Sequence, residues 1–311
     1  MTLAQLITHH ADALAAANLS YGHGTTNAQD EAAWLVLWAL DLPLDTDTSD
    51  AAYNTQFIEN LPNVSVKRSK LAALIEARIA TRKPAAYLTQ EAWLQGVAFY
   101  VDERAIVPRS FIAELLVDES LDYWLAPSHD PDGSERPFRI LDLCTGNGSL
   151  AVLAAMAYPD ALVDAADLSA DALAVAAINV DKHSLSARIT LLQGDGLASC
   201  AQRVVQHGTY DLILCNPPYV NATSMAALPL EYRAEPQMAL ASGADGMDFT
   251  RTLLRQAAAF MSENAVLVLE IGNERENFEH AFPRLEPVWL ETSAGEDQVL
   301  LLTRDALGGV H

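Results

Sequence analysis

The chain has 311 residues and a mass of 33.6 kDa, a length that predicts about two domains at ~150 residues each. Half of the residues are hydrophobic and 19% are charged, a globular composition that excludes a disordered or fibrous chain. With 19 Lys and Arg against 41 Asp and Glu, the formal net charge is −22. Such acidity argues against binding to nucleic acid or to an anionic membrane, and it favours a basic protein partner if it is more than a solubility trait.

Targeting signals and metal-binding patterns are not evident. The first basic residue is Lys67, so no signal peptide is readable, and the longest uninterrupted apolar run, Ala32–Leu40, is far shorter than the ~20 residues that span a bilayer. The cysteines Cys144, Cys200 and Cys215 are odd in number and form no CxxC pair. We therefore expect a cytoplasmic protein with no metal and no disulfide framework.

The first 86 residues have helical periodicity. Apolar residues recur at spacings of three and four in two stripes, namely Leu3, Leu6, Ile7, Ala11 and Leu14, and then Leu71, Leu74, Ile75 and Ile79. Asp30 is the expected N-cap of the helix that holds the apolar run, and Pro84 closes the helix with the second stripe. Residues 87–107 are richer in aromatic and β-branched side chains around Gly96, which predicts a hairpin that links two domains.

Residues 108–311 have the alternating pattern of an α/β domain. Ser110 is expected to cap a helix that contains Phe111, Leu115, Leu116 and Leu121, and residues 126–137 are expected to form a loop. Seven strands are predicted, at residues 138–143, 162–167, 189–194, 210–215, 265–271, 286–292 and 298–303. Helices are predicted at residues 149–158, 170–182, about 246–261 and 274–281. Such βα alternation predicts a mainly parallel seven-stranded sheet that ends in an antiparallel pair.

A glycine turn and spaced acidic residues follow the first strands of this domain. The strand that contains Asp142 leads into Gly146 and Gly148, whose backbone N–H groups could approach a ligand closely. Asp142 could face a cationic group of the ligand. Asp167 and Asp195 follow the next two strands, where carboxylates suit a ribose and an adenine amino group. The alternatives are that these acids cap helices, or that the match to GxGxxA marks a dinucleotide site.

The end of the fourth strand decides the predicted chemistry. Prolines in Asn216-Pro217-Pro218-Tyr219 end the strand and stiffen the chain, because neither can donate to a sheet ladder. The Asn216 side-chain oxygen and the Pro217 carbonyl can accept both N–H groups of a planar amino or amide group, and Tyr219 can stack on that plane. A held nitrogen next to a sulfonium methyl group would be positioned for methyl transfer.

Together these motifs resemble the class I S-adenosylmethionine-dependent methyltransferases that modify planar nitrogens. The glutamine-modifying HemK/Prm family also has a small helical N-terminal domain, a hairpin and a Pro-Arg segment, which is similar to residues 106–110 here. Three segments, residues 21–32, 86–110 and 228–249, resemble the branch that acts on large-subunit ribosomal protein L3. The resemblance therefore implies a substrate-recognition domain at residues 1–86, a hairpin at 87–107 and a Rossmann-like methyltransferase domain at 108–311.

The resemblance also assigns roles to individual residues. Cofactor binding is implied for Asp142, Cys144, Thr145, Gly146, Asn147, Gly148, Asp167, Leu168, Asp195, Gly196, Asn216 and Arg109. Catalysis is implied for Asn216, Pro217 and Tyr219, and binding of the substrate amide for Asn216, Pro217, Pro218 and Tyr219. Cys144 departs from the family, which commonly has a glycine there, so the turn needs a compatible backbone angle at this position. The alternative for Arg109 is an ordinary surface arginine after a turn.

Other functions stay open at this point. The resemblance implies S-adenosylmethionine as cofactor and ribosomal protein L3, before its assembly, as substrate, with peptide chain release factors as the alternative substrate. A DNA adenine methyltransferase would share Asn-Pro-Pro-Tyr but would need a basic groove. An NAD-dependent oxidoreductase would leave Asn216–Tyr219 unexplained, and an inactive assembly factor would not need that motif intact.

Overall fold

Residues 1–49, 55–125 and 136–308 are described by the structure, a computed structural model. The chain folds into two compact units. The first unit comprises Met1–Glu91 together with Pro229–Ala234, and the second comprises Ala92–Leu228 together with Glu235–His311. Most of the predicted loop at residues 126–137 lies outside the described residues.

The first unit is helical, as predicted. Its helices are α1 (Leu3–Ala16), α2 (Ala28–Leu40), α3 (Thr55–Glu59), α4 (Val64–Thr81) and α5 (Ala85–Thr89). The predicted stripe of α1 is its buried face, and it packs with apolar residues of α2 and α4 in one core. The prediction that Asp30 is the N-cap of α2 is wrong. Asn27 is the cap, because its side chain accepts the Asp30 backbone N–H at 2.9 Å, and Asp30 lies in the first turn.

A buried ion cluster joins Pro229–Ala234 to the helices of the first unit. Arg78 is fully buried on α4, and its Nε donates to Glu31 Oε1 at 2.8 Å. Glu231, also fully buried, lies 2.8 Å from Arg82 Nη2 and accepts the Ser20 backbone N–H at 3.0 Å. Because an unpaired buried charge is costly, this pairing fixes the short segment in the helical unit.

The hairpin at the start of the second unit is shorter than predicted. Its strands are β1 (Glu91–Leu94) and β2 (Val97–Tyr100), while part of the predicted span is helix α5. Gln95 and Gly96 both have positive φ, 49° and 74°, as a two-residue hairpin turn of this hand requires.

The second unit is built on a seven-stranded sheet, which confirms the predicted α/β fold. Its strands are β3 (Arg139–Leu143), β4 (Leu162–Asp167), β5 (Ile189–Gln193), β6 (Tyr210–Cys215), β7 (Met261–Glu270), β8 (Val288–Thr292) and β9 (Gly295–Thr303). The strand order is β5-β4-β3-β6-β7-β9-β8. The first five strands in this order are parallel, and β9 is antiparallel to both β7 and β8. The antiparallel pair of β8 and β9 confirms the sequence prediction.

Helices cover both faces of the sheet. They are α6 (Ile112–Val117), α7 (Ser149–Ala157), α8 (Ala170–Lys182), α9 (Ala201–His207), α10 (Ala222–Ala227), α11 (Asp248–Gln256), α12 (Arg275–Ala281) and α13 (Arg304–Leu307). Successive strand residues point to opposite faces, so Ile140 and Leu212 belong to one core cluster and Leu141 and Ile213 to the other. Both faces of the central strands are therefore buried, as in other parallel sheets.

Several boundaries differ from the sequence prediction, including the starts of β8 and β9, which lie two residues later and three residues earlier than expected. The helix expected to end near residue 261 stops at Gln256 and continues as a short 3-10 helix, Ala257–Phe260. Strand β7 then begins at Met261, four residues earlier than expected. Helix α6 is also shorter than predicted, since Leu121 lies beyond its end. The prediction that Ser110 caps a helix containing Phe111 is wrong, because the helix begins at Ile112 with Phe111 as its N-cap.

None of the helices in the described part of the chain is long and apolar enough to cross a membrane. Within the same residues, no group of three or more His, Cys, Asp or Glu side chains is arranged to hold a metal ion. All three cysteines are free thiols.

Candidate functional site

A cleft lies at the carboxyl ends of the central strands of the second unit. It encloses about 770 Å³, part of which is open to solvent. The parallel strands and the loops after them supply most of its lining, namely Leu143, Cys144 and Gly146 after β3, Ala166, Asp167, Leu168 and Ser169 after β4, Gly194, Asp195 and Gly196 after β5, and Asn216 and Pro218 after β6. Crevices at this edge of an open α/β sheet are where such folds bind ligands.

The glycine turn after β3 has the backbone conformation that its sequence predicts. Gly146 and Gly148 have φ of 56° and 80°, and Cys144 also has a positive φ, 63°. Cys144 thus adopts the left-handed conformation that glycine adopts more easily, and it lines the cleft. Gly148 is needed for packing, because a Cβ there would lie 3.0 Å from that of Ala176 on α8. The turn therefore presents backbone to the cleft while helix α8 packs against its far side.

Asp142 lies beneath this turn and does not line the cleft. Its carboxylate accepts the Thr145 hydroxyl and the Ala151 backbone N–H, the latter at 3.0 Å. Burial, which leaves the residue only 1% exposed, raises the pKa of this carboxyl to about 7, against the opposing effect of the two hydrogen bonds. The geometry gives Asp142 a role in holding the turn together.

Asp167 connects the end of β4 to the glycine turn. One carboxylate oxygen accepts the Gly146 N–H at 2.9 Å and the other accepts the Ser169 N–H at 2.8 Å. The cap of helix α8 is the side chain of Ser169, which accepts the Ala172 N–H at 3.1 Å, so the alternative that Asp167 caps this helix is wrong. Burial raises the pKa of Asp167 above its ordinary value. The carboxylate lines the cleft and is available to a ligand hydroxyl.

Some of the remaining predicted cofactor residues line the cleft, and the others lie in the turn behind its surface. Leu168, Asp195 and Gly196 line the cleft, and Leu168 is 54% exposed. Thr145, Asn147 and Gly148 do not line it. Asn147 is held from behind, because the buried Asn179 of α8 donates to its carbonyl at 2.8 Å. Asn179 also bonds both backbone groups of Tyr100 in the hairpin, a role that no sequence pattern indicated.

The Asn-Pro-Pro-Tyr segment starts directly after β6. Asn216 and Pro218 line the cleft, whereas Pro217 is buried and Tyr219 is half-buried. No hydrogen bond joins the Asn216 side chain to the other described residues. Its amide is therefore available to a ligand, next to the turn that carries Cys144.

Two further walls of the cleft were not predicted. Arg104, Ala105 and Ile106 form one, and Pro236, Met238, Ala239 and Phe249 come from the long connection after β6. Glu235, 3% exposed, joins them: it accepts from Arg109 Nη1 at 2.6 Å, from Arg109 Nη2 at 2.7 Å and from the Val107 N–H at 3.0 Å. Arg109 does not line the cleft, and its guanidinium is bound bidentately by this carboxylate.

Comparison with known proteins agrees with this geometry. The family model described as "Methyltransferase small domain" matches residues 132–232. With the strand order and the glycine turn, it defines the second unit as a methyltransferase domain with the class I fold.

Three curated relatives are similar to this chain over nearly its whole length, and each is named ribosomal protein uL3 glutamine methyltransferase. The protein from Bordetella pertussis is 51% identical over 98% of this chain and 96% of its own. Those from Burkholderia pseudomallei and Neisseria gonorrhoeae are 50% and 48% identical, over 99% and 94% of this chain and 96% and 91% of their own. The chain therefore belongs to the family of ribosomal protein uL3 glutamine methyltransferases.

Proposed function

We propose that this protein transfers the methyl group of S-adenosylmethionine to the side-chain amide nitrogen of a glutamine in ribosomal protein uL3. The observation that carries the proposal is that Asn216 borders the same cleft as the glycine turn and Asp167. The names of the relatives support the choice of uL3. Modification of a ribosomal protein before assembly would take place in the cytoplasm.

The lining of the cleft fits S-adenosylmethionine in its chemistry, because it combines carboxylates, glycine backbone and apolar side chains. Asp167 would accept the ribose hydroxyls, Asp195 would lie by the adenine, and Leu168 would supply apolar contact. The cofactor supplies an electrophilic methyl group on a positively charged sulfur.

The chain's own contribution to the reaction would be to hold the acceptor amide. The Asn216 side-chain oxygen and the Pro217 carbonyl would each accept one N–H of the glutamine amide, which fixes the amide plane and turns its nitrogen toward the cleft. Both acceptors would stabilise the positive charge that the nitrogen gains as its bond to the methyl group forms and the methyl–sulfur bond breaks. The nitrogen would then lose one proton to water, so no strongly basic residue is required there. Tyr219 would pack beside the amide plane.

A labelled-methyl transfer assay tests the proposal. Unassembled uL3, a release factor and adenine-containing DNA are each incubated with the wild-type chain and with Asn216→Ala. We expect label on uL3 alone, at a glutamine located by mass spectrometry, and none with the variant. Label on the release factor alone would show that the release factor, and not uL3, is the substrate. Label on DNA would support the adenine methyltransferase alternative.

We propose in addition that the first unit, with residues 1–86, recognises the protein substrate, that residues 87–107 link it to the methyltransferase domain and that this domain spans residues 108–311. In support, none of the residues that line the cleft belongs to the first unit, which has a hydrophobic core of its own. Hydrogen exchange of the full chain, with and without unmodified uL3, tests the recognition role. We expect slower exchange in the helical unit when uL3 is present, and unchanged exchange throughout that unit would contradict it.

A further inference from the structure

The loop after β7 lies beside the Asn-Pro-Pro-Tyr segment because their two strands are neighbours. Strands β6 and β7 are parallel, and Cys215 pairs with Leu269 near their ends. The segments that continue from the two strands therefore leave the sheet together. A hydrogen bond from Ile271 N to Gln298 O, at 2.9 Å, ties the start of the β7 loop to β9. The Glu274 N–H closes the loop onto the Ile271 carbonyl at 3.2 Å.

Within this loop Gly272 meets the ring of Tyr219. Gly272 has a φ of +53°, and a Cβ built on it would lie 2.5 Å from Cε2, 2.9 Å from Cζ and 3.2 Å from Cδ2 of that ring. Three ring atoms within this range mean that the ring edge rests where a side chain would otherwise be. Any residue except glycine at this position would displace the ring or the loop.

The neighbouring backbone is held on two more sides. Glu274, 7% exposed, accepts from the Asn221 side-chain nitrogen at 2.7 Å and from the Asn221 N–H at 3.4 Å. Gly246, with a φ of +78°, lies so close to the Tyr219 carbonyl oxygen that a Cβ there would overlap it. The Val220 N–H donates to the Leu240 carbonyl at 2.8 Å. Tyr219 is thus confined through its ring, its carbonyl and the residues that follow it.

We propose that Gly272 is a positioning residue for methyl transfer, since it leaves the space in which the ring of Tyr219 lies. Gly272 is not part of the cofactor cleft, so it acts on the acceptor half of the site. The proposal rests on the proposed function, because it needs Tyr219 to pack beside the acceptor amide. With the ring displaced, the amide would lose the packing that keeps its plane aligned with the two acceptors, and kcat would fall while cofactor affinity would not.

A double-mutant cycle tests this inference. The full-length wild-type chain, Gly272→Ala, Tyr219→Ala and the double variant are compared for kcat on uL3 and for the dissociation constant of S-adenosylmethionine by calorimetry. We expect Gly272→Ala to lower kcat by about 10-fold to 100-fold and to change the cofactor dissociation constant by less than about twofold, as for loss of positioning alone. In the Tyr219→Ala background, the same substitution should change kcat by less than about twofold, because no ring remains to be displaced.

Two control variants separate the ring contact from backbone strain. Gly96→Ala in the hairpin turn imposes a comparable positive φ, +74°, with nothing within 4 Å of the added Cβ, and should leave kcat unchanged. Gly272→Asn relieves the left-handed strain, since Asn tolerates this conformation, but still brings a Cβ against the ring. Its kcat should be at least as low as that of Gly272→Ala.

The outcomes distinguish this inference from the function on which it rests. Equal losses of kcat from Gly272→Ala in both backgrounds, or a milder effect of Gly272→Asn, would overturn the positioning role. Full activity of Tyr219→Ala would overturn it as well. If the wild-type chain transfers no methyl group to uL3, the proposed function fails and the inference fails with it.

Discussion

The two halves of the cleft hold their residues by different means. At the ends of β3 and β4, carboxylates bond to backbone N–H groups, as in the Asp167 bond to Gly146 and the Asp142 bond to Ala151. At the ends of β6 and β7, two prolines and the close approach of Gly272 confine the chain by shape. Carboxylate hydrogen bonds are what fix the first half, whereas in the second half close packing at Gly272 adds to the hydrogen bonds of Val220 and Asn221. Substitutions should therefore separate into those that change cofactor affinity and those that change the rate of transfer.

The largest effect is expected at Asn216, on the acceptor side. Asn216→Ala removes one of the two oxygens proposed to hold the amide, and kcat should fall by about 10²–10³-fold, the cost of losing a preorganised catalytic hydrogen bond. The cofactor dissociation constant, measured by calorimetry, should change by less than about threefold. Asn264→Ala, at an exposed position in the first half of β7 and away from the carboxyl ends of the strands, is the control. Full activity of Asn216→Ala would show that the amide is held elsewhere.

The next largest effect should come from the pair that joins two walls of the cleft. Arg109→Ala leaves Glu235 buried without its bidentate partner, which should lower the free energy of unfolding by about 3 kcal/mol. Arg109→Lys should recover only part of this loss, because a single ammonium cannot replace the fork geometry. Urea denaturation measures both. If Arg109→Ala keeps full stability but weakens cofactor binding, Arg109 is a cofactor ligand, as the family resemblance implies.

On the cofactor side, Asp167→Ala should weaken S-adenosylmethionine binding by about 10-fold to 30-fold, the value of one or two charge-assisted hydrogen bonds. Its kcat at saturating cofactor should fall much less, in contrast to that of Asn216→Ala. Asp171→Ala is the matched control, since Asp171 is an exposed acid one turn away on α8. Unchanged affinity for S-adenosylmethionine in calorimetry would mean that Asp167 only holds the glycine turn in place and does not bind the cofactor.

The pH dependence of stability tests the support beneath the turn. Because burial raises the folded-state pKa of Asp142 to about 7, the unfolded chain ionises at lower pH than the folded chain. Stability therefore falls as pH rises from about 4 to about 7, at no more than about 1.4 kcal/mol per pH unit, and is level above that range. Asn cannot ionise, so the Asp142→Asn variant should not lose this stability. In urea denaturation, its free energy of unfolding relative to wild type should rise between about pH 4 and about pH 7. Parallel curves for the two proteins would contradict the raised pKa. Glu270, whose pKa burial also raises to about 7, is present in both and cancels in the comparison.

Local patterns predicted the elements whose signals agree with one another. Strand β4 and helix α8 have the predicted bounds, because an apolar run, the cap residue Ser169 and a 3.6-residue stripe coincide there. Where signals compete, the prediction was wrong. Asn27 and Asp30 are both good caps, and the helix starts at the earlier one. The first residues of β7 are largely polar and exposed, so they carry no strand pattern, although they continue the strand in the sheet.

The same distinction applies to the candidate site. Residues at strand ends, such as Cys144, Asp167 and Asn216, were found because the ends of parallel strands meet at one edge of the sheet. Contacts between remote parts of the chain left no such signal. Glu235 is 126 residues from Arg109, and nothing local to either residue indicates the pair. Nothing in the sequence predicts the contact of Gly272 with Tyr219 either, because a glycine after a strand usually indicates only a turn.

The smallest expected effect concerns how each half of the site meets its ligand in solution. The net charge of −22 should attract a basic protein such as uL3 over long range, whereas a small cofactor gains little from it. Raising the salt concentration should therefore slow the association of uL3 by about 10-fold, through screening beyond the ~10 Å Debye length at 0.1 M. Cofactor association should change by less than about twofold. Stopped-flow measurements of both rates on the same wild-type protein provide the internal control. Equal salt dependence for the two ligands would mean that the acidity is unrelated to substrate capture.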